Sequence, residues 1–325
     1  MLLEARVAHP TTEKEAAQLA RELYGLQATA VSLPGEYDDN FLLTLTEPAA
    51  SKNGGEAPLA QTVNRFVLKV MHPAREPSFI DLQCRALQHL AQRAPQLTLA
   101  RVRSTLAGES FTAVTSPSGQ KRLAWLLTYV PGKVLAEARP HSRELLRSLG
   151  RFLGEMSVAL ADFEHPAAHR ELKWDLARAQ WIRGHLLHIR DTSRRALVEK
   201  FLASYEAEVV PVADQLRRSI VYGDANDYNV LVGEALPLPR KVVSVIDFGD
   251  MHHSFTVSEL DIAAAYAILG KTEPLQAAAV VIAGYHSAFP LSEQEISVLY
   301  PLIAARLAVS VTNSAQRATV KPDDP

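Results

Sequence analysis

Cysteine is nearly absent: Cys84 is the only one among 325 residues. A single thiol builds neither a disulfide framework nor a multi-cysteine zinc site. Excess charge of one sign is also missing. Lys and Arg total 34 against 36 Asp and Glu, a formal charge of −2, so the chain has no bulk basic field for nucleic acid or an anionic membrane. No apolar run reads as approaching the roughly 20 residues that span a bilayer. The Met-Leu-Leu-Glu-Ala-Arg start lacks a basic segment followed by an apolar one, so no signal peptide is expected. Internal repeats and long low-complexity tracts are missing too. These absences predict a soluble, cytoplasmic protein with a reduced thiol and no nucleic-acid or membrane partner. What is present is globular: 47% hydrophobic and 22% charged residues, near the usual proportions, at a length that suits about two domains.

The texture changes along the chain. Thr12 to Tyr24 reads as a helix, with Thr12 and Glu15 as a capping box and Gly25 as its C-terminal stop. Short runs rich in Val, Leu, Thr and aromatics follow at 28–33, 40–45, 64–71, 111–115 and 121–130, and these predict strands. The polar stretch 47–61 predicts a long connecting loop, and Ser116-Pro-Ser-Gly119 a hairpin turn. One helix, about 77–92, interrupts the strands. After Pro131-Gly132 the spacing turns helical, with helices predicted at 141–161, 172–188, 193–217, 258–269, 275–289 and 292–319. The predicted fold class is α+β, with a β-rich antiparallel N-terminal lobe over 1–128 and a larger, mainly helical C-terminal lobe over 129–325.

The chemistry concentrates in two segments. Ser219-Ile-Val-Tyr-Gly-Asp224-Ala-Asn-Asp-Tyr-Asn229-Val-Leu-Val runs from an apolar strand through a polar loop into another strand. Val242-Val-Ser-Val-Ile-Asp247-Phe-Gly-Asp250 again delivers a carboxylate at a strand end. Phosphoryl transfer needs this set: a carboxylate to accept or orient the proton of an attacking hydroxyl, and hard oxygen ligands from Asp and Asn for Mg²⁺. Lys69, the sole cation inside the apolar run Phe66–Val70, suits a phosphate-holding point charge.

These residues resemble the aminoglycoside phosphotransferase superfamily, small-molecule kinases with a protein-kinase-like two-lobe fold. Its signature is His-Gly-Asp, four residues, Asn, then Ile-Asp-x-Gly. Here it reads Tyr222-Gly223-Asp224, four residues, Asn229, then Ile246-Asp247-Phe248-Gly249. Leu33-Pro-Gly35-Glu-Tyr-Asp-Asp-Asn40-Phe41 and Lys173-Trp174-Asp175-Leu176 bring the hydroxylysine kinase-like branch closest, with homoserine kinases near it. The resemblance implies Asp224 as catalytic base, Asn229 and Asp247 as Mg²⁺ ligands and Lys69 as the phosphate-binding lysine. It further implies Leu127, Thr128, Tyr129 and Val130 as the adenine-contacting hinge, and Gly35 to Asn40 as a cover over the triphosphate of ATP or GTP. The expected activity is phosphorylation of a hydroxyl on an amine-bearing small molecule, a hydroxylated amino acid or amino alcohol, by a monomer or homodimer. Two departures stand out. Tyr222 replaces the usual His, and the helix that should offer a glutamate to Lys69 has Gln83 there, with Asp81 and Glu76 as alternatives.

Each residue also has a plainer reading. Asp224 and Asn229 can cap a turn, Asp247 can cap the next element, and Lys69 can guard an edge strand. Gly270-Lys271-Thr272 is rejected as a P-loop, because a helix precedes it and Ala265 stands where the first glycine belongs. His165 with His169, and the neighbours His252 and His253, read as loop or surface residues. On the acceptor side, Trp174, Asp175, Asp227, Asp250 and Arg306 are candidates. A carboxylate with an aromatic suits an ammonium, and an arginine suits a carboxylate. Asp261 is expected to cap its helix and brace the loop that carries Asp224.

Overall fold

The structure, a computed structural model, describes residues 7–46, 64–116, 119–233 and 240–320. The loop expected at 47–61 lies outside the described residues, as do Pro117 and Ser118. The chain divides into two compact units, Met1–Ala91 with Thr98–Pro131, and Gln92–Leu97 with Gly132–Pro325.

In the first unit, α1 (Glu13–Tyr24) starts at the expected capping box. The Thr12 hydroxyl accepts from the Glu15 amide, and the Glu15 carboxylate accepts from the Thr12 amide at 2.7 Å. Six strands follow: β1 (Ala28–Leu33), β2 (Asp39–Leu45), β3 (Arg65–Val70), β4 (Val102–Arg103), β5 (Phe111–Thr115) and β6 (Lys121–Thr128), with α2 (Pro77–Arg93) between β3 and β4. They form one antiparallel sheet in the order β1-β2-β3-β6-β4, with β5 also paired to β6. Alternation along the strands turns Phe41, Leu43, Phe66, Leu68, Val70, Ala124 and Leu126 to one face, under Ala16, Ala20 and Tyr24 of α1. Lys69, between Leu68 and Val70, therefore points to the opposite face.

The second unit holds β7 (Lys133–Val134), α3 (Arg143–Leu160), α4 (Thr192–Glu208), β8 (Arg218–Val221), β9 (Val230–Val232), β10 (Val242–Val245), β11 (His252–Phe255), α5 (Ser258–Ala267), α6 (Pro274–Ala288) and α7 (Glu293–Val320). Two small antiparallel sheets, β10-β9-β7 and β11-β8, are set among the helices. The α+β class and the two lobes follow the expectation.

Three expectations change. The segment predicted as a helix from 172 begins at Leu176 and runs to His188 as a 3₁₀ stretch, with non-helical angles at Arg178. Its buried residues Leu176, Ala179, Ile182 and Leu186 stand three, three and four positions apart, a spacing that the 3₁₀ and α repeats both accommodate. The helix predicted over 193–217 stops at Glu208 and continues as a 3₁₀ turn, Val210–Gln215, around Pro211, which has no N–H to donate. Finally, α7 is long and apolar enough to cross a membrane by length and composition alone, a property the sequence reading denied to every segment. In its most apolar window 67% of the residues are buried inside the protein.

Candidate active site

Strand β8 ends in a buried turn that aims Asp224. Gly223 has φ +79°, and a Cβ there would lie 2.9 Å from the Asp250 carbonyl and 3.0 Å from the His252 ring, so only glycine fits. The amides of Tyr222 and Gly223 both donate to one carboxylate oxygen of Glu259, at 2.7 and 3.3 Å. The Tyr222 hydroxyl donates to the Ile246 carbonyl, and its ring meets Phe248 edge-on at 5.0 Å. Tyr222, standing where the signature has His, thus ties the two motif segments together.

The Asp224 carboxylate accepts from the side-chain amides of Asn226 at 2.8 Å and Asn229 at 2.6 Å. Asn226 also accepts the backbone amides of Tyr228 and Asn229 through its oxygen, which closes the loop in an Asx turn. The backbone carbonyl of Asn229 receives the Ile246 amide at 2.9 Å. That bond holds β9 against the strand that delivers Asp247. Asp247 has φ +61°, the one positive φ outside glycine among the described residues, and its carboxylate accepts from the Gly249 amide at 3.3 Å. Strain of this kind collects at functional sites.

Electrostatically the site is crowded with negative charge. Burial pushes the Asp224 carboxyl up to about 7, and the Asp250 and Asp247 carboxylates add to the push, while the Asn226 hydrogen bond and Arg306 oppose it. Asp250 is raised in the same way, by burial and then by Asp247, with Arg170 the first group to oppose the rise. Arg170 fastens the turn after Asp247, donating to the Met251 carbonyl at 2.7 Å and to the Gly249 carbonyl. Arg306, on α7, lies 4.0 Å from Asp224. Its guanidinium stacks on the Trp174 ring at 4.5 Å and donates to the Tyr266 hydroxyl at 3.3 Å.

Of the residues singled out from sequence, Asp224, Asn229, Asp247, Asp250, Arg306 and Trp174 are linked in this way. Asp175 turns inward. It is 5% exposed, caps the 3₁₀ stretch through the Ala177 amide, and faces Ser254 and His252. Against the upward push of burial, the nearby His252 ring, at 3.6 Å, and the hydrogen bond from the Ser254 hydroxyl hold its carboxyl below the usual range. Asp227 gives its carbonyl to the Ala136 amide at 2.8 Å, and its charge acts on His141. The brace expected of Asp261 belongs to Glu259. Two helical residues turn about 200°, so one of the pair faces the loop and the other does not. Asp261 is fully buried, and neither of its oxygens has a partner. Sequence reasoning also missed Asn226, which the Asp-x-Asn spacing signals, and Arg170, which nothing nearby in the sequence signals.

In the first unit, Lys69 is paired in register with Asn40 on β2 and Trp125 on β6, and its ammonium sits 5.8 Å over the Trp125 ring. Gly35 is fixed by close approach, since a Cβ there would lie 2.4 Å from the Asp38 carbonyl and 2.6 Å from the Asn40 amide nitrogen. Asn40 donates to the Pro34 carbonyl at 3.2 Å, and Asp38 accepts the His72 amide at 2.6 Å. Thr128 closes a reciprocal pair with Arg101, at 2.9 and 2.8 Å. Leu127 is half-buried, Tyr129 lies under Arg65 at 4.2 Å, and Val130 is buried. Gln83 is buried and donates to Phe79 within its own helix, while Asp81 pairs with Arg85 at 2.8 Å.

The chain is similar to known phosphotransferases and kinases. Residues 47–295 match the sequence model of the phosphotransferase enzyme family, APH. A hydroxylysine kinase from Mus musculus is 27% identical over 330 residues, which cover 96% of this chain and 84% of that protein. Its counterpart from Danio rerio is 29% identical over 324 residues, covering 96% and 86%. Among solved structures, an amicoumacin kinase in complex with AMP-PNP, Ca²⁺ and Ami superposes with a TM-score of 0.68 at 15% identity, covering 94% of this chain and 86% of the other. A microcompartment-associated aminopropanol kinase gives 0.61 at 17% identity, covering 94% and 97%. These structural likenesses speak for the fold.

Proposed function

The chain belongs to the phosphotransferase enzyme family, and from that premise we propose that it is a small-molecule kinase. It moves the γ-phosphoryl group of ATP or GTP to a hydroxyl of a hydroxylated amino acid or amino alcohol. The observation that carries the reading is the Asp224 carboxylate, gripped by Asn226 and Asn229 on a loop whose neighbouring strand delivers Asp247.

Asp224 is the base. Held near neutrality in its affinity for a proton, it accepts the proton of the acceptor hydroxyl as the oxygen attacks. Its two amide donors fix the carboxylate so that the reacting oxygen meets it in one orientation. Asn229 and Asp247 fit a Mg²⁺ site. The Asn229 nitrogen is engaged by Asp224, which leaves its amide oxygen as the ligand atom, and the carboxylates that raise one another's proton affinity are relieved by a cation. Among the described residues no three His, Cys, Asp or Glu side chains form a metal cage. A Mg²⁺ ion needs none here, because it takes one or two carboxylates plus phosphates and water. When bound, the ion neutralises charge on the transferring phosphoryl group.

Lys69 holds the nucleotide phosphates. Leu127, Thr128, Tyr129 and Val130 contact the purine, and Gly35 to Asn40 covers the triphosphate. Trp174, Asp175, Asp227, Asp250 and Arg306 are the acceptor-side residues, with Asp175 acting from behind through His252. The reading expects a cytoplasmic enzyme, a monomer or homodimer, with no nucleic-acid or membrane partner.

The test is release of nucleoside diphosphate with Mg²⁺, from ATP and GTP in parallel. The acceptors are hydroxylysine, homoserine, 1-amino-2-propanol, choline and kanamycin. Release that depends on a hydroxylated amino acid or amino alcohol supports the reading. Release with kanamycin or choline alone, or with no acceptor at all, overturns it. In Asp247→Ala the Mg²⁺ dependence of the rate should be lost, and an unchanged Mg²⁺ titration would remove Asp247 from the metal site.

A further inference from the structure

Arg306 carries more than a structural role requires. The residue is 2% exposed, yet two of its three guanidinium nitrogens, Nε and Nη1, have no hydrogen-bond partner. Nη2 donates to the Tyr266 hydroxyl at 3.3 Å and stands 4.0 Å from Asp224, at the outer limit of an ion pair. The charges of Asp224 and Asp250 reach the guanidinium through space, but at 4.0 Å Asp224 accepts no hydrogen bond from it, and Nε and Nη1 stay open. The aromatic faces of Trp174 and Tyr266, at 4.5 and 5.6 Å, hold the guanidinium plane without completing its hydrogen bonds. A buried cation with open donors is costly, and a carboxylate is the group whose two oxygens match its fork.

We propose that Arg306 binds the carboxylate of the acceptor, so that the enzyme acts on hydroxylated amino acids and discriminates against the corresponding amino alcohols. This inference rests on the kinase reading above and narrows its acceptor class. Because Arg306 stands 4.0 Å from Asp224, carboxylate and reacting hydroxyl lie within about 10 Å of each other, that distance plus one hydrogen bond at each end. A single amino acid spans this. Trp174 is half-buried and stacked on the guanidinium, so a carboxylate held by Arg306 alters the surroundings of its ring.

Matched acceptor pairs that differ only by the carboxylate test the proposal: homoserine against 3-aminopropanol, and threonine against 1-amino-2-propanol, with kcat/KM measured for each. The wild-type enzyme should favour the amino acid of an accepted pair by at least about 100-fold. In Arg306→Met that ratio should collapse toward one, mainly through a rise in KM for the amino acid, and Arg306→Lys should restore part of it. Binding of the amino acid, but not the amino alcohol, should change tryptophan fluorescence in the wild-type protein. Comparable kcat/KM for both members of a pair in the wild type overturns the proposal without any variant, even if Arg306→Met fails to fold, and leaves the kinase reading standing. An unchanged ratio in a folded Arg306→Met protein overturns it as well. Absence of transfer to every acceptor, amino acids and amino alcohols alike, defeats the kinase reading and this inference together.

Discussion

Gly223 can be tested against a glycine of the same unit that shares its backbone but not its surroundings. Gly223 has φ +79° and Gly270 φ +65°, so alanine is strained at both. The difference is space. A Cβ on Gly223 meets the Asp250 carbonyl at 2.9 Å and the His252 ring at 3.0 Å, whereas a Cβ on Gly270 meets nothing within 4 Å. Left-handed strain costs alanine about 1–2 kcal/mol, and the stiffer unfolded chain returns about 0.4–1 kcal/mol. Gly270→Ala should therefore destabilise the protein by about 1 kcal/mol. Crowding adds about 1–3 kcal/mol at Gly223, which brings Gly223→Ala to about 3 kcal/mol. Urea unfolding followed by tryptophan fluorescence measures both, since Trp174 and Trp181 lie in this unit, and the midpoint should move at an unchanged slope. The Asp250 carbonyl is backbone and cannot swing aside, so the strain should also shift Asp224 and lower turnover by about 100-fold. Equal destabilisation by the two substitutions would refute the reasoning, because crowding would then contribute nothing.

Three further predictions concern the buried polar groups. Burial pushes Glu259 up to about 7 against an ordinary 4.5, despite the amides of Gly223 and Tyr222. A raised carboxyl gives stability that is complete below about 4.5 and lost as the pH rises through about 7. At about 1.36 kcal/mol per pH unit the loss is roughly 3 kcal/mol. The stability difference between wild type and Glu259→Gln should shrink by that amount across the window, and a pH-independent difference would contradict it. Arg122 is 2% exposed, pairs with Asp39 at 2.6 Å and donates to the carbonyls of Val70 and Met71. Arg122→Met should cost about 3–5 kcal/mol in urea unfolding, and a cost under about 1 kcal/mol would show that the pair holds nothing. Cys84 is buried and its thiol is pushed up to about 12, by burial and then by Asp81. A thiol reagent should leave it unmodified in the native protein and react in urea; rapid native labelling would contradict its burial.

The first unit was largely legible because its signals are local. Thr12 and Glu15 announce a capping box, and the alternation Phe66, Leu68, Val70 already sets Lys69 on the other face. The loop from Tyr222 to Asn229 was legible as a motif, because Asp224, Asn229 and Asp247 are residue types that phosphoryl transfer requires. What stayed hidden depends on contacts distant in sequence. Arg170 reaches Gly249 and Met251 across about eighty residues, and no local pattern announces it. Glu259 and Asp261 are both acids in the first turn of α5, and only the rotation of that helix decides which meets the Tyr222 and Gly223 amides. The stretch from Leu176 was misread as α-helical because its buried residues, three and four apart, fit the helical template equally well. Arg306 was visible as a cation on an apolar helix, but its two open donors are a property of packing.

The central claim is that Asp224 is the base of a phosphoryl transfer. It is tested most directly by measuring nucleoside diphosphate release by Asp224→Asn beside the wild type, with Mg²⁺ and the best acceptor. Asparagine keeps the size of the side chain and loses the ability to take the proton. The account predicts a turnover reduced by about 10²–10⁴-fold with nucleotide binding retained. Near-normal turnover in a folded variant would contradict it.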